Sequence, residues 1–530
     1  MNFKQLIIFF LTALILFSCA QIVPITGGER DVEAPIEVKS TPKNGSTLFT
    51  EKTITIEFDE FINLTNVSNQ LIVSPLMETP PEILVRGKKL VIKLGGNLVE
   101  NTTYSLNFGN SITDITENNV FPNYKYVFST GTFIDSLSYS GTVVSSFNLS
   151  QKENIYVLLY DQFEDSIPYK ELPRYVALTD KEGNFSITNI AHGDYKFFAI
   201  NDINGNYLFD LPNEEIAFKN EVVQLDSSSS DNMVYLFEEE SGLQYVIKAE
   251  YKQFGKIDVI LNLPTENFSY TPPNFILKEP WYLVEKNETG DSISLWLNTF
   301  GSNETINLII ADAEEIIDTI EIDLMHSNKD SSLPIYSNIT SQFNLNQPVF
   351  ITTKRPISNF DFSKMELLED SNSVDYKPSK IDSVGRKFKL DYSFKENTNY
   401  QLFIPPGTFE DIYGLKNDTV KIDFKTKSES DYGIINLSIN TNFSKNYIVQ
   451  LFKNDKLIRE SHLKEAVKTQ YKYLLPGNYE LKLIIDSNND KKWNTGNYLE
   501  NLQPEKVIYY EKEIKIRANW DNDISWTVNE

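Results

Sequence analysis

Two stretches of alternating oxygen-bearing side chains are the part of this sequence best suited to bind a metal ion. They contain Asp202, Asn204, Asn206 and Asp210 in the first stretch, and Asp486, Asn488 and Asp490 in the second. Calcium is a hard cation that takes carboxylate and amide oxygens, and oxygens at positions 1, 3 and 5 begin many calcium loops. The spacing therefore predicts calcium as the one candidate cofactor.

The rest of each stretch leaves a second interpretation open. The twelfth position, where a bidentate Glu closes an EF-hand loop, is Asn213 in the first stretch and Asn497 in the second. Glu214 and Glu500 lie nearby but out of register. Hairpins rich in Asp and Asn also arise because these side chains bond to their own backbone in Asx turns. A calcium loop and an Asx-turn hairpin are both compatible with the sequence.

The only cysteine, Cys19, is the candidate site of lipid attachment. It follows Lys4 and an apolar run from Leu6 to Phe17, the pattern of a secretory signal peptide. The run is shorter than the about 20 apolar residues that a membrane-spanning helix needs. Residues 16–19 resemble the lipobox of bacterial lipoproteins. That resemblance implies a signal peptide over 1–18 and a lipid on Cys19 that binds the chain to a membrane.

Residues 19–35 are expected to form a tether, because Pro and Gly punctuate them and no apolar period appears. This stretch resembles the mature start of Bacteroidota lipoproteins, which implies a lipid-anchored protein of the outer membrane. In that group, acidic residues close behind the cysteine accompany outward display. The first acidic residue here is Glu29, so the periplasmic and the outward face both stay open.

Six triplets of Asp, Ser or Thr, and an apolar residue resemble the O-glycosylation acceptor of Bacteroidota. Their hydroxyl residues are Ser136, Ser166, Ser292, Thr319, Ser383 and Thr419. The same triplet also occurs where Asp and Ser or Thr end a turn and the apolar residue begins a strand. Both interpretations can hold together, because the edge of a strand is accessible to a modifying enzyme.

The composition argues against several classes of function. A net charge of −25 repels phosphate backbones, so no nucleic-acid partner is expected. The three histidines, His192, His326 and His462, lie far apart and in no metal-ligand spacing. Paired carboxylates such as Asp59 and Glu60 are expected to be solvated in so acidic a chain. We therefore predict that the protein is not an enzyme.

Short alternating apolar stretches predict an all-β fold of tandem β-sandwich domains in an extended array. In Thr53–Phe58, for example, Ile54, Ile56 and Phe58 alternate with polar residues, as in a half-buried strand. The 13% of aromatic residues also favours strands. No helix of note is expected, although 464–471 is compatible with a short turn.

Two families supply resemblances for the first domains. Residues 36–133 resemble SbsA-type bacterial Ig-like domains in Thr41–Gly45, Leu98–Tyr104 and Phe128–Gly131. Residues 137–225 resemble transthyretin-like or carboxypeptidase-regulatory-like sandwiches in Asp180–Phe185 and Gly193–Tyr195. These resemblances imply a fold and not a reaction. Residues 235–330 are expected to form a third β-sandwich of unclear family.

The pattern of the first two domains then recurs. Asn397–Tyr400 repeats Asn101–Tyr104 at a distance of 296 residues, and Gly477–Tyr479 repeats Gly193–Tyr195 at a distance of 284. A second Ig-like domain is therefore predicted over 345–427 and a second transthyretin-like domain over 430–528. Repeated domains of this kind contact mainly their neighbours in the chain.

Together these features predict a lipid-anchored outer-membrane or cell-surface protein with a structural, adhesive or protein-binding role. Its expected partners are the membrane, through the lipid on Cys19, and an outer-membrane barrel protein or a glycan. An accessory lipoprotein of an outer-membrane assembly or secretion machine is the first alternative. A carbohydrate-active enzyme is the second, although the sequence leaves no domain in which to place its two acids.

Overall fold

The computed structural model describes residues 31–265, 267–271, 282–298, 305–313, 315–323, 330–441, 445–464 and 467–528. Within these ranges the helical segments are Val67–Gln70, Ile167–Lys170, Phe362–Lys364 and Glu429–Asp431, and strands make up most of the rest. The prediction of an all-β fold is confirmed. None of the helices in the described ranges is long and apolar enough to cross a membrane. Cys19, the predicted signal peptide and most of the tether lie outside the described residues.

The chain divides into two compact units. The first comprises residues up to 145 and residues 150–236, and the second comprises 146–149 and the chain from 237 onward. Buried apolar side chains form five large clusters, two in the first unit and three in the second. Each cluster draws on a continuous part of the sequence, so each can form largely from local chain segments.

The first domain of unit 1 packs antiparallel sheets around one core. One sheet has the strand order Glu37–Thr41, Thr53–Phe58, Lys89–Lys93, Glu82–Arg86. A second has the order Lys125–Ser129, Thr103–Asn107, Ile72–Ser74, and a third has Ile62–Leu64, Ile112–Asp114, Val120–Phe121. Ile54, Ile56 and Phe58 are buried, as their alternation predicts, because successive side chains of a strand point to opposite faces.

The second domain of unit 1 is built around one continuous set of paired strands. Their order is Tyr175–Leu178, Tyr156–Tyr160, Gly193–Ile200, Glu215–Phe218, Ser229–Glu238, Leu137–Ser145, Asn184–Ile190, and Val223–Leu225 also pairs with Gly193–Ile200. The first strand of the domain, Leu137–Ser145, pairs in parallel with the last, Ser229–Glu238. The buried core includes Tyr139, Tyr175 and Phe197.

Unit 2 begins with a domain of two antiparallel sheets. One has the order Val246–Gln253, Lys256–Leu261, Ser292–Leu297, Tyr282–Lys286, and the other Phe268–Thr271, Thr305–Asp312, Glu315–Asp323. Trp296 is fully buried, and its indole Nε1 donates to a carboxylate oxygen of Glu285 at 2.9 Å. Arg386, from the next domain, binds the same carboxylate at 2.7 Å and lies over the indole ring. These contacts join the middle domain to the domain that follows it.

The next domain repeats the architecture of the first domain of unit 1. Its first sheet has the strand order Ile335–Ser337, Val349–Thr353, Lys387–Asp391, Lys377–Lys380. The second has the order Gln342–Phe343, Val420–Thr426, Asn399–Ile404, Glu366–Glu369, Asn372–Val374. The third pairs Ile357–Phe360 with Phe409–Asp411. The repeated tyrosine has the same bond in both copies. The backbone N–H of Val99 donates to the hydroxyl of Tyr104, and that of Lys395 donates to the hydroxyl of Tyr400, both at 2.9 Å.

The last domain has one sheet ordered Val467–Leu474, Gly433–Thr441, Asp521–Val528 and a second ordered Lys456–Lys464, Asn446–Lys453, Gly477–Asp486, Val507–Tyr509. Ile514–Ile516 also pairs with Gly477–Asp486. Gly433–Thr441 and Asp521–Val528, the first and last strands, pair in parallel. The short turn predicted over 464–471 is wrong, because Lys456–Lys464 and Val467–Leu474 are strands and their pairing with neighbouring strands decides the local structure.

Candidate functional site

The first Asp/Asn stretch forms the loop between the antiparallel strands Gly193–Ile200 and Glu215–Phe218. Asp202, at its start, organises the backbone that follows. One carboxylate oxygen accepts the backbone N–H of Gly205 at 2.6 Å and of Asn206 at 3.3 Å, and the other accepts the N–H of Tyr207 at 2.6 Å. The loop backbone therefore turns around this one carboxylate.

Three of the predicted ligands converge within this loop. The side-chain amides of Asn204 and Asn206 donate to the two carboxylate oxygens of Asp210, at 3.0 and 2.8 Å. The amide oxygens of Asn204 and Asn206 accept backbone N–H groups two residues further along the chain, as in Asx turns. The structure thus brings Asn204, Asn206 and Asp210 together, and Asp202 joins them through the backbone.

A buried glutamate, Glu214, accepts hydrogen bonds from the backbone of this loop. The spacing of EF-hand ligands did not predict this role. Glu214 is only 1% exposed. One of its oxygens accepts the N–H of Ile203 at 3.1 Å, and the other accepts the N–H groups of Asp210 and Leu211 at 3.0 and 3.1 Å. The signal in the sequence is an acidic residue directly before a buried strand, where a solvated carboxylate would not be expected.

The second stretch has the same internal geometry. The carboxylate of Asp486 accepts the backbone N–H groups of Asp490 and Lys491 at 3.2 and 3.1 Å. The amide of Asn494 donates to Asp490 at 2.9 Å, so Asn494, which the spacing rule missed, occupies the place of Asp210. Although burial opposes ionisation, hydrogen bonds from Asn494, Lys492 and Asn488 lower the pKa of Asp490.

The glutamate below the second loop is Glu505 and not Glu500, which the sequence placed nearest. Its two oxygens accept the N–H groups of Ser487 at 2.6 Å and of Asn494 at 3.2 Å, as Glu214 accepts those of Ile203 and Asp210. Burial raises the pKa of Glu505. The segment before Glu505 is longer than that before Glu214, and for this reason the correspondence could not be counted from spacing.

In both loops, neutral side-chain amides donate hydrogen bonds to one carboxylate, which is that of Asp210 in the first loop and that of Asp490 in the second. No group of three or more His, Cys, Asp or Glu side chains in the described ranges is placed to hold a metal ion. The assignment of oxygen and nitrogen in a side-chain amide follows its hydrogen-bond partners. A rotation of the amides of Asn204 and Asn206 would turn their oxygens toward Asp210, which only a bound cation would favour. The geometry is thus compatible with both interpretations of these loops.

Most of the predicted acceptor hydroxyls are on the protein surface. Ser136, Ser166, Thr319, Ser383 and Thr419 are exposed, and Ser292 is half-buried at the start of strand Ser292–Leu297. The hydroxyl of Ser383 donates to the carbonyl of Val284 at 3.3 Å. A glycan on Ser383 would therefore have to replace a contact between two neighbouring domains of unit 2.

Among known protein families, residues 31–130 match the bacterial Ig-like domain. The match covers most of the first domain of unit 1 and supports the predicted resemblance of this part of the chain to bacterial Ig-like domains. No curated protein matches the chain. The Ig-like assignment of 345–427 and the transthyretin-like assignments of 137–225 and 430–528 stay predictions.

Several solved structures align with long parts of the chain. The major pilin subunit of Bacillus cereus is 10% identical and aligns over 74% of this chain and 99% of its own, with a TM-score of 0.15. The Bacillus anthracis TIE protein is 10% identical over 95% and 75%, with a TM-score of 0.14, and the surface layer protein SbsC, domains 1–6, is 10% identical over 91% and 67%, with a TM-score of 0.15. These values are too low to support any conclusion about this chain.

Proposed function

We propose that this chain is a lipid-anchored protein of the outer membrane or cell surface that has a structural, adhesive or protein-binding role. The observation that supports the proposal best is the order of the parts. A lipobox-like segment and a tether precede a bacterial Ig-like domain, and further β-domains follow it. The acidic surface would not bind an anionic membrane by charge, so the lipid on Cys19 supplies the attachment.

The adhesive role and the first alternative, an accessory lipoprotein of an outer-membrane machine, differ in their partners. Tagged full-length protein is purified from detergent-solubilised membranes and its bound proteins are identified, and the same preparation is applied to a glycan array. We expect glycan binding without one dominant protein partner. Recovery of a single barrel protein in stoichiometric amount, together with a blank array, would contradict the adhesive role and favour the accessory lipoprotein.

A further inference from the structure

A cleft of about 1240 Å³ lies within unit 1, between its two domains. One wall is the outer face of the sheet that contains Thr103–Asn107 and Lys125–Ser129, and the other wall includes Tyr175–Leu178 and Asn184–Ile190. Two hydrogen bonds join the walls. The N–H of Val176 donates to the hydroxyl of Ser74 at 3.1 Å, and the amine of Lys125 donates to the hydroxyl of Thr188 at 2.5 Å. The cleft is therefore formed before any ligand arrives.

Side-chain amides are the most frequent polar groups of the lining, and the two that are half-buried, Gln70 and Asn107, present unused donors. The amide oxygen of Gln70 accepts the N–H of Asn110 at 2.7 Å, and that of Asn107 accepts the N–H of Gly109 at 3.0 Å. Throughout the part of the chain that the structure describes, neither NH₂ group has a hydrogen-bond partner. Both residues are half-buried, so the donors are fixed in position by the bonds that their oxygens make.

Other asparagines of the cleft are weaker evidence for a binding site, because their backbone conformation already explains why Asn stands there. Asn66, Asn123 and Asn154 have φ values of 52°, 54° and 61°, a left-handed conformation that Asn adopts more readily than most residues. Asn107 differs from these three, because it is the last residue of strand Thr103–Asn107, pairs with Lys125 and does not have a positive φ. The oxygen of its amide accepts the N–H of Gly109 in the turn that follows the strand, and this bond leaves the NH₂ group available to a ligand.

The second copy of the strand shows that the fold does not require an amide at this position. Phe403 pairs with Lys421 in the second copy, as Asn107 pairs with Lys125 in the first. Phe403 is half-buried, so the strand accommodates a large apolar side chain on the same face. The amide of Asn107 thus distinguishes the cleft from the equivalent surface of unit 2.

The remaining lining selects for an uncharged ligand. The charged groups are Lys125 and Lys181 against Glu153, Asp180, Glu182 and Asp202, an excess of acid that disfavours anions. Serine and threonine hydroxyls lie between the amides, and the half-buried ring of Tyr156 adds an apolar surface. A sugar chain presents both hydroxyl groups and apolar C–H faces. Amide donors and protein hydroxyls can form hydrogen bonds with the sugar hydroxyls, and an aromatic ring can pack against a C–H face.

We propose that this cleft binds a neutral oligosaccharide, with the amides of Gln70 and Asn107 as donors to its oxygens and Tyr156 against a ring. The proposal deepens the adhesive role given above and rests on it. The volume of the cleft, about 1240 Å³, exceeds that of typical small-molecule sites, which is about 300–1,000 Å³. We therefore expect the cleft to bind several sugar units at once.

The test is calorimetric titration of the detergent-solubilised full-length chain with cellotetraose, maltotetraose, mannotetraose and tetra-N-acetylchitotetraose. We expect saturable binding of at least one of the four. Asn107→Phe, which copies the second repeat, should weaken that binding about tenfold or more, and Gln70→Ala should weaken it several-fold, because each removes a hydrogen-bond donor.

Gln401→Ala is the matched control, because Gln401 is an amide in the equivalent sheet of unit 2, and it should leave affinity unchanged. If Asn107→Phe does not fold, Asn107→Ala combined with Gln70→Ala takes its place. Failure of the wild type to bind any of the four sugars would overturn the proposal. Binding that survives in the Asn107 and Gln70 variants would overturn the assignment to this cleft and leave the adhesive role intact.

Discussion

Asp202 and Asp486 are the residues on which the two equivalent loops depend. Each carboxylate accepts backbone N–H groups four and five residues later, and a buried glutamate accepts others from the same loop. Side chains accept these N–H groups because the residues that carry them lie in loops, outside the paired strands. The Asx turns are therefore part of the architecture, whether or not a cation adds to them.

The calcium hypothesis makes a prediction that the Asx turns alone do not. A chelator should lower the melting temperature of the wild type by a few degrees, since an ion that binds only the folded state stabilises it by RT ln(1 + [L]/Kd). The double variant Asp202→Ala, Asp486→Ala should melt at one temperature with and without calcium. Thermal melts of both proteins provide the measurement. If the wild type also melts at one temperature in both conditions, the loops are architecture only.

Glu369 is the carboxylate whose charge the fold favours most clearly. Its oxygens accept hydrogen bonds from Lys395 at 2.5 Å, from Tyr392 at 2.6 Å and from Tyr400 at 2.9 Å. The amine of Lys395, followed by the two hydroxyls, lowers the pKa of Glu369 from 4.5 to about 2. These bonds stabilise the folded state above pH 4.5, and that stabilisation is lost as the pH falls toward 2.

We therefore expect Glu369→Gln to reduce the dependence of unfolding on pH between 4.5 and 2, and to lower stability at neutral pH. Denaturant midpoints measured from pH 2 to pH 7 on the full chain would show this. Glu82→Gln serves as the control, because Glu82 forms an exposed pair with Lys93 that contributes little. A wild-type slope retained in the Glu369 variant would contradict the assignment.

At the residue scale, the sequence predicted the polar loops but not all of their members. Alternation revealed Asp202, Asn204 and Asn206, because such spacing is visible in a single chain. Glu505 was not predictable, because the distance from Asp486 differs from the distance between Asp202 and Glu214. Only the fold shows which carboxylate lies beneath which loop.

Among the elements, the hairpin that joins Val246–Gln253 to Lys256–Leu261 has an unusually close neighbour. Gly255 has φ +76°, and a Cβ placed there would lie 1.9 Å from the hydroxyl oxygen of Tyr413. That hydroxyl donates to the carbonyl of Leu297 at 2.6 Å, and the ring of Phe254 packs against the ring of Tyr413 with 5.1 Å between the ring centroids. The glycine thus permits two neighbouring domains of unit 2 to pack closely.

We expect Gly255→Ala to displace Tyr413 and to expose the segment around it, seen as faster hydrogen exchange in peptides that contain residues 409–417. Gly290→Ala is the matched control, because Gly290 also has a positive φ, +83°, but its nearest atom would be 3.6 Å away. Both variants should lose about 1–2 kcal/mol from backbone strain. Equal exchange of 409–417 in the two variants would show that the contact does not fix Tyr413.

Among the strands, alternation of apolar and polar residues predicted the structure reliably, whereas a polar stretch without that alternation did not. Thr53–Phe58 is a strand because Ile54, Ile56 and Phe58 must face one core. Residues 467–474 are also a strand, although the sequence was compatible with a turn, because they pair with Gly433–Thr441. Pairing between distant segments is a property that no local pattern contains.

For the whole molecule, the proposed lipid on Cys19 decides where the chain functions, and removal of its attachment site tests the proposal. Cys19→Ser should release the protein from the membrane fraction, because an acidic chain is not expected to bind an anionic membrane by charge. Fractionation followed by a high-salt wash provides the measurement, with the wild type retained in the membrane as the control. A serine variant that stays with membranes through the wash would refute lipid attachment.

The parallel pairing of first and last strands has a mechanical consequence. In the last domain, eight residue pairs join Gly433–Thr441 to Asp521–Val528, and in the second domain six pairs join Leu137–Ser145 to Ser229–Glu238. A pull on the two ends of such a domain runs along both strands and loads all of these pairs at once, in shear. Strands that meet in antiparallel hairpins would open one pair at a time under the same force. A tether that pulls on these domains therefore meets its greatest resistance where the chain enters and leaves them.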